Sequence, residues 1–277
     1  MILVDMSQIM MVSIMMQMHM SKKNEPEEEM VRHMILNSLR MYRTRFLSEY
    51  GELVLCYDSR HYWRRDYFPE YKHSRRKGRE SDTKDWDIIF GCLNTIKDEI
   101  KEHLPYKSVE VYGAEADDII ATLCSEYAEE IMILSGDKDF IQLQRFPNVK
   151  QYSPITKKMV NGENADVYVK EHVFRGDTSD GIPNVLSPDN TFVDGLRQKP
   201  LSKKKIVSIV DGNLPNDEVK RNYQRNETLI DLTKSPAELF FKILDEWNNA
   251  PEGDRSKLLN YFTQKRLRNL VESIGEF

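Results

Sequence analysis

Cysteine is scarce in this chain: three in 277 residues, and Cys56, Cys92 and Cys124 lie far apart with no Cys-x-x-Cys spacing. That excludes a disulfide framework and a cysteine-ligated zinc site, and makes a reducing, cytoplasmic setting the expectation. Long apolar runs are missing too. A membrane span needs about 20 apolar residues in a row, whereas Ser7, Gln8, Ser13, Gln17 and His19 interrupt the most apolar stretch, Met6–Met20. A secretion signal would want a basic start and a small-residue cleavage site, but Asp5 comes first and no such site follows. Eleven of the 13 methionines fall in the first 41 residues, so the stretch reads as a core helix padded with flexible side chains. Finally, there is no excess of positive charge: 40 Lys and Arg against 45 Asp and Glu give a net −5. The average argues against a nucleic-acid partner; the distribution, which is uneven, argues otherwise.

What is present is an alternation of strand-like and helix-like segments. Ile2-Leu3-Val4 is a short buried-strand run, and the methionine-rich helix follows it. Residues 27–50 carry a helical stripe (Val31, Met34, Ile35, Leu39, Tyr42, Phe46) that Gly51 stops. Leu53–Tyr57 is a second strand, and Trp86, Ile89, Phe90, Leu93, Ile96 and Ile100 form another stripe ended by Pro105. Further strands are expected at Val109–Tyr112, Ile131–Leu134 and Val149–Tyr152, with a helix over 116–127. This is the pattern of βαβ units around a parallel sheet. After about residue 160 the chain turns helical and polar. We therefore expect an α/β catalytic domain over 1–160 and a smaller helical domain over 161–277.

The acids sit where such a sheet would bind a ligand. Asp5 follows the first strand, Asp58 the second, and Asp137 and Asp139 follow Ile131–Leu134 across Ser135-Gly136. Ligands of an open parallel sheet bind beyond the carboxyl ends of its strands. One such Asp is an ordinary helix cap; three at matching positions are harder to dismiss. Gly113-Ala-Glu115-Ala-Asp117-Asp118 opens a helix after another strand, so Glu115 and Asp117, with Asp118 less certainly, can face the same rim. Carboxylates crowded together raise each other's pKa and call for a cation. An all-oxygen set without His or Cys selects Mg²⁺ or Mn²⁺ over zinc. Two such ions clamp the attacking and leaving oxygens of a phosphodiester.

The positive charge is concentrated nearby. Residues 60–79 hold Arg60, Arg64, Arg65, Lys72, Arg75, Arg76, Lys77 and Arg79 against only Asp66 and Glu70, interleaved with Tyr62, Trp63, Tyr67, Phe68 and Tyr71. Alone, a charge run is more often a solvated face. Starting two residues after Asp58, it has the makings of a phosphate-binding, base-stacking surface. A third element, Gly176-Asp177-Thr178-Ser179-Asp180-Gly181-Ile182-Pro183, is either an Asx turn or a source of two more carboxylates. Lys203, Lys204 and Lys205, after Ser202 as a helix cap, would present amides and ammonium groups to a phosphate.

Taken together these motifs resemble the 5′-nuclease (flap endonuclease) family, on the side of the phage RNase H enzymes. The residues that carry the likeness are Val4-Asp5-x-Ser7, Leu55-Cys-Tyr-Asp58, Tyr62-Trp-Arg-Arg65, Pro69-Glu-Tyr-Lys72, Glu115-Ala-Asp-Asp118, Ser135-Gly-Asp-Lys-Asp-Phe140 and Gly176-Asp-x-x-Asp-Gly-Ile-Pro183. The resemblance implies a helical arch over about residues 60–85 and a helix-three-turn-helix DNA-binding module. It implies a metal-dependent 5′→3′ exonuclease and flap endonuclease with two Mg²⁺ ions, Mn²⁺ able to substitute. The implied substrates are DNA and RNA–DNA hybrids with a 5′ flap or nick, in the removal of RNA primers during phage replication. It further implies a monomer in the cytoplasm of an infected bacterium, with no membrane contact and with a single-strand-binding protein or sliding clamp as candidate partners.

By the same resemblance Asp5, Asp58, Glu115, Asp117 and Asp137 match one set of metal ligands, and Asp139, Asp177 and Asp180 a second, with Asp118 reaching either through water. Tyr71, Lys72 and Arg75 match residues that hold and polarise the scissile phosphate. Arg64, Arg65, Arg76, Lys77, Arg79 and Lys203–Lys205 are the expected nucleic-acid contacts. The family's glycine-rich hairpin after Gly-Ile-Pro is replaced here by residues 186–205, which leaves the duplex-binding details and any monovalent ion open. The chain starts almost at its first strand, so no N-terminal partner-binding extension is expected. The alternatives are a PIN-like single-strand ribonuclease, typically shorter and needing neither the arch nor Asp177 and Asp180, and a non-catalytic junction-binding protein.

Overall fold

The computed structural model describes residues 1–162, 164–202, 205–206 and 216–277. The strands of the central sheet are short, and its three middle ones are apolar on both faces. β1 (Ile2–Asp5), β2 (Leu53–Cys56) and β4 (Ile131–Leu134) are buried from end to end. Alternation then sorts their side chains between two cores. Ile2, Val4, Leu53 and Leu55 point into one, Leu3, Val54 and Cys56 into the other. With β3 (Lys107–Val109), β5 (Val149–Ser153) and β6 (Lys158–Val160) the order is β3-β2-β1-β4-β5-β6, parallel except for β6. The order reverses between β1 and β4, which opens a crevice at their carboxyl ends.

The first core is covered by α1 (Met6–Ser21), α2 (Glu28–Tyr50) and α5 (Trp86–His103). In α1, Met6, Met10 and Met18 are buried with Ile9 and Ile14, so the methionine-rich stretch is a core helix. Among the described residues no helix is long and apolar enough to cross a membrane. The second core is covered by α6 (Ala116–Glu126) and the 3₁₀ segment Lys138–Arg145.

Between β2 and α5 the basic run forms two short helices, α3 (Trp63–Tyr67) and α4 (His73–Glu80); α4 buries none of its side chains. Beyond β6 come α7 (Ala165–Arg175), α8 (Asp217–Ile230), α9 (Ala237–Asn249), α10 (Leu258–Gln264) and α11 (Arg268–Glu272). The last three return to the sheet. Leu239 and Ile243 of α9 join the second core, while Leu258, Tyr261, Phe262, Leu270 and the terminal Phe277 complete the first.

One strand lies two residues before its expected place. β3 ends at Val109, because its register against β2 runs from Val54↔Lys107 to Cys56↔Val109. Beyond it the chain turns: the Ala114 N–H donates to the Val111 carbonyl at 3.0 Å and Gly113 takes φ +94°. That turn swings Glu115 and Asp117 toward the crevice.

Candidate active site

Asp5 ends β1 and caps α1, accepting the Gln8 N–H at 3.1 Å, and its second oxygen accepts the Ser135 hydroxyl at 2.9 Å. Asp58, two residues past β2, accepts the Ala116 N–H at 2.7 Å and the Ser7 hydroxyl at 2.7 Å. Asp137 caps the 3₁₀ segment through the Asp139 N–H at 3.0 Å. Gln8 and Gln151 hold the intervening loop, Gln8 accepting the Gly136 N–H at 2.6 Å and Gln151 donating to the Asp137 carbonyl at 2.6 Å. Hydroxyls and amides thus fix these carboxylates, and no cation of the chain is bonded to Asp5, Asp58 or Asp137 among the described residues.

The electrostatic consequence is large. Burial, helped by the charges of Asp58 and Asp137, pushes the Asp5 carboxyl up to about 7. Burial and the charges of Asp137, Asp5 and Glu115 raise Asp117 well above the carboxylate range. Burial and Asp137 push Asp139 up to about 7. These are the signs of a site short of positive charge.

A second group of acids is paired with cations of the chain. Glu115 accepts the Lys72 ammonium at 2.5 Å, Arg64 Nη1 at 2.9 Å and the Tyr71 hydroxyl at 3.1 Å. Burial works to raise its pKa, but Lys72 and Arg64 outweigh it and hold the carboxyl below its usual value. Asp180 accepts the Tyr71 hydroxyl at 2.9 Å and pairs with Arg75, which also donates to the Ser179 carbonyl at 3.1 Å. Lys72 reaches both acids because its backbone sits at φ +56° with its N–H on the Asp180 carbonyl at 2.7 Å.

Asp177 anchors the turn after α7. One of its oxygens accepts the Ser179 N–H, the Ser179 hydroxyl and the Asp180 N–H, so this is an Asx turn as well as a carboxylate source. Gly176 makes the turn possible: its φ is +67°, and a Cβ there would lie 2.3 Å from the Ile182 carbonyl oxygen. Asp117, Asp139, Asp177 and Asp180 line one small cleft with Arg64 and Tyr71.

Two expectations need correcting. Arg64 is not a nucleic-acid contact: it is 2% exposed, between Glu115, Asp118 and the Leu229 carbonyl. Asp118 is not placed to hold a metal ion. It is fully buried, and its oxygens are taken by Arg64 (2.9 Å), the Glu115 N–H (3.0 Å), Ser235 (2.7 Å) and Trp63 (3.3 Å). A histidine also stands beside the second expected set of acids. His172 stands between Asp139 and Asp177, its Nδ1 3.4 Å from one and its Nε2 3.5 Å from the other. No sequence signal marked it, because a lone histidine in a helix beside Lys170 and Glu171 looks like any surface position.

Of the remaining cations, Arg65, Arg76 and Lys77 are exposed, while Arg79 stacks over the Trp86 and Phe90 rings at 5.5 and 5.2 Å. Lys203 and Lys204 lie outside the described residues. Lys205 is exposed and its N–H donates to the Ser202 hydroxyl oxygen at 3.3 Å, so Ser202 caps as expected.

Comparison with known proteins bears on the same residues. Residues 1–174 match the family described as 5'-3' exonuclease, N-terminal resolvase-like domain, and residues 163–277 match that described as T4 RNase H, C terminal. The ribonuclease H of Enterobacteria phage T4 is 34% identical over 99% of this chain and 95% of its own length. A 5'-3' exonuclease of Mycoplasmopsis pulmonis is 32% identical over 54% of this chain and 51% of its own length. Among solved structures, the bacteriophage T5 flap endonuclease in a pseudo-enzyme–product complex with DNA and metal ions superposes with TM-score 0.61, 14% identity, over 90% of this chain and 99% of that one. The T5 protein co-crystallised with metal ions gives 0.59 at 16% identity, over 99% and 98%. These two likenesses show the fold.

Sheet, acid-lined crevice and relatives together define a nuclease, a hydrolase of phosphodiester bonds. The chain belongs to the 5′–3′ exonuclease family, in the branch that carries the phage T4 RNase H C-terminal region.

Proposed function

We propose that the chain is a divalent-metal-dependent 5′→3′ exonuclease and flap endonuclease that removes RNA primers and adjoining DNA at 5′ ends and junctions during phage replication. One observation carries the reading. Asp5, Asp117 and Asp139, from three different segments of the chain, share one crevice in which burial and mutual repulsion lift their pKa values. Such an arrangement is stable when a divalent cation shares it, so the residues present fit the ions the family fold implies. Asp5, Asp58, Asp117 and Asp137, with Glu115 where Lys72 releases it, would hold one ion, and Asp139 with the Asp177–Asp180 turn a second. Mg²⁺, with Mn²⁺ as substitute, is the proposed cofactor. The chemistry such ions supply is neutralisation of phosphate charge and activation of water.

The chain's own residues do the rest. Lys72 and Arg75 sit at the mouth of the cleft, where exchange of their bonds from Glu115 and Asp180 to a phosphate would place two cations on the scissile group. Tyr71, buried and hydrogen-bonded to both acids, holds the two in register. Arg65, Arg76 and Lys77, exposed along α3 and α4, would bind backbone phosphates on the way in. Residues 161–277, with the Gly176–Pro183 turn, are proposed to hold the duplex side of the junction.

A gel assay with end-labelled 5′-flap, nicked and RNA-primed duplexes, with and without Mg²⁺, tests this. Cleavage at the 5′ junction that needs the metal supports it. Equal cutting of free single-stranded RNA with no regard for junctions would favour the PIN-like ribonuclease instead.

A further inference from the structure

The second acid cluster differs from a plain carboxylate site by one residue, His172. It lies on the last turn of α7, and the Gly176 turn folds the chain back so that Asp177, five residues on, meets the imidazole. Tyr168, one turn earlier, packs its ring edge-on against it at 5.8 Å. The two ring nitrogens face different partners. Nε2 is 3.5 Å from Asp177 Oδ2, while Nδ1 is 3.4 Å from Asp139 Oδ1. Nδ1 is buried and has no hydrogen-bond partner. A nitrogen of His172 and one oxygen each of Asp139 and Asp177 lie within 4.8 Å of one another.

If the Nε2–H points at Asp177, the lone pair of Nδ1 faces the lone pairs of an Asp139 oxygen. Two acceptors opposed in a buried place are unfavourable unless a proton or a metal cation lies between them, and a metal ion that binds there takes the proton's place. A carboxylate that fixes one ring nitrogen while the other ligates is the usual second support of a metal-bound histidine. Cis donors around a divalent ion with bonds of about 2.1 Å stand about 3 Å apart, so a few tenths of an ångström of closure would suffice.

We propose that His172 is itself a ligand of the ion held by Asp139, through Nδ1, with Asp177 orienting the imidazole. This rests on the metal-dependent reading above and sharpens it: the second ion position is a mixed nitrogen and oxygen site. A nitrogen donor raises affinity for first-row transition ions, least for Mn²⁺ and more for Co²⁺ or Zn²⁺, so this position takes them in preference to Mg²⁺.

The test uses the full-length protein without substrate. Mn²⁺ and Mg²⁺ are titrated calorimetrically into wild type and His172→Gln, and electron spin-echo spectra of the Mn²⁺ complexes are read for a directly coordinated nitrogen. Wild type shows the nitrogen coupling. His172→Gln loses it and binds the weaker Mn²⁺ equivalent about 10- to 100-fold less tightly, with a smaller change for Mg²⁺. Were the variant not to fold, the wild-type spectrum with and without ¹⁵N-histidine still decides. Absence of nitrogen coupling in wild type, or Mn²⁺ affinity equal or higher in His172→Gln, overturns the assignment; the latter would make His172 a counter-charge that the ion displaces. If cleavage nonetheless requires metal, only the His172 ligand falls. If no ion binds and cleavage needs none, the proposed function falls with it.

Discussion

Glu115 and Asp117 share one helical turn yet stand in opposite electrostatic states. Glu115 is held anionic by Lys72 and Arg64, whereas Asp117, with Asp137 and Asp5 for neighbours, is pushed toward its protonated form. The division of labour follows from position in the turn. Arg64, buried beneath Glu115 and Asp118, is the structural half of it. Replacing Arg64 with Leu leaves buried Asp118 without its cation and Glu115 with Lys72 alone, and removal of one partner from such a group costs about 3–5 kcal/mol. Urea unfolding of Arg64→Leu in the absence of metal should show that loss; a change below about 1 kcal/mol would mean the site relaxes by admitting water. Asp137 is the half proposed to hold the ion. Asp137→Asn keeps its shape and removes a ligand charge, so single-turnover cutting of a 5′-flap substrate should fall by at least about 100-fold, with junction binding retained. Near-normal cutting would show that this rim is not the reacting one.

At the scale of elements, α4 carries its cations with no side chain buried, so its sequence is free to serve a ligand. Among the described residues the Arg76 side chain bonds only to His73, at 3.0 Å, and Lys77 is exposed. If each contacts one phosphate, Arg76→Ala and Lys77→Ala should each weaken binding and lower the slope of log affinity against log salt by about 0.7–0.9, with the bound-state cleavage rate little changed. Lys72→Ala, at the cleft, should instead slow the cleavage step itself; equal single-turnover rates for the three variants would remove its special place. The strands and the acids after them were legible in the sequence because buried strands are continuous apolar runs and the residues just past them must face the crevice. The position of β3 was not, since Val109, Glu110, Val111 and Tyr112 read equally well as strand, and only pairing with β2 decides where it stops. The roles of Arg64 and His172 were hidden for a related reason. Arg64 sits in a basic run whose other members, Lys72 apart, are exposed, and only the packing of α3 against Leu229 and Asp118 buries it. His172 becomes part of a site only when the Gly176 turn brings Asp177 back to it.

The whole molecule is built to be unstable in its crevice until something positive arrives. Asp5 and Asp139, with an ordinary value of 3.8, are raised to about 7 in the folded chain. The folded state therefore keeps protons that the unfolded state has already released. By linkage their contribution to stability is fullest below about pH 4 and declines as pH climbs toward about 7, above which both states are ionised. Paired groups such as Glu115, whose pKa is lowered, act in the opposite sense, adding stability above the unfolded value and losing it on acidification. The proposed divalent ion would bind only the folded, deprotonated cluster, and at 100 times its dissociation constant would add about 2.7 kcal/mol. For a chain of this size that is a rise in melting temperature of roughly 5 °C or more. Melting curves in EDTA across pH 5 to 8, then with Mg²⁺ or Mn²⁺ at neutral pH, read both effects. The metal-free protein should lose stability between pH 5 and 7, and the ion should restore it at neutral pH. In Asp117→Asn/Asp137→Asn the metal-free protein should melt higher than wild type, because two repelling charges are gone, and the metal-dependent rise should vanish. A rise that survives in the double variant would place the ion outside this crevice, and none at millimolar Mg²⁺ in wild type would mean that Lys72, Arg75 and His172 already supply all the positive charge the carboxylates need.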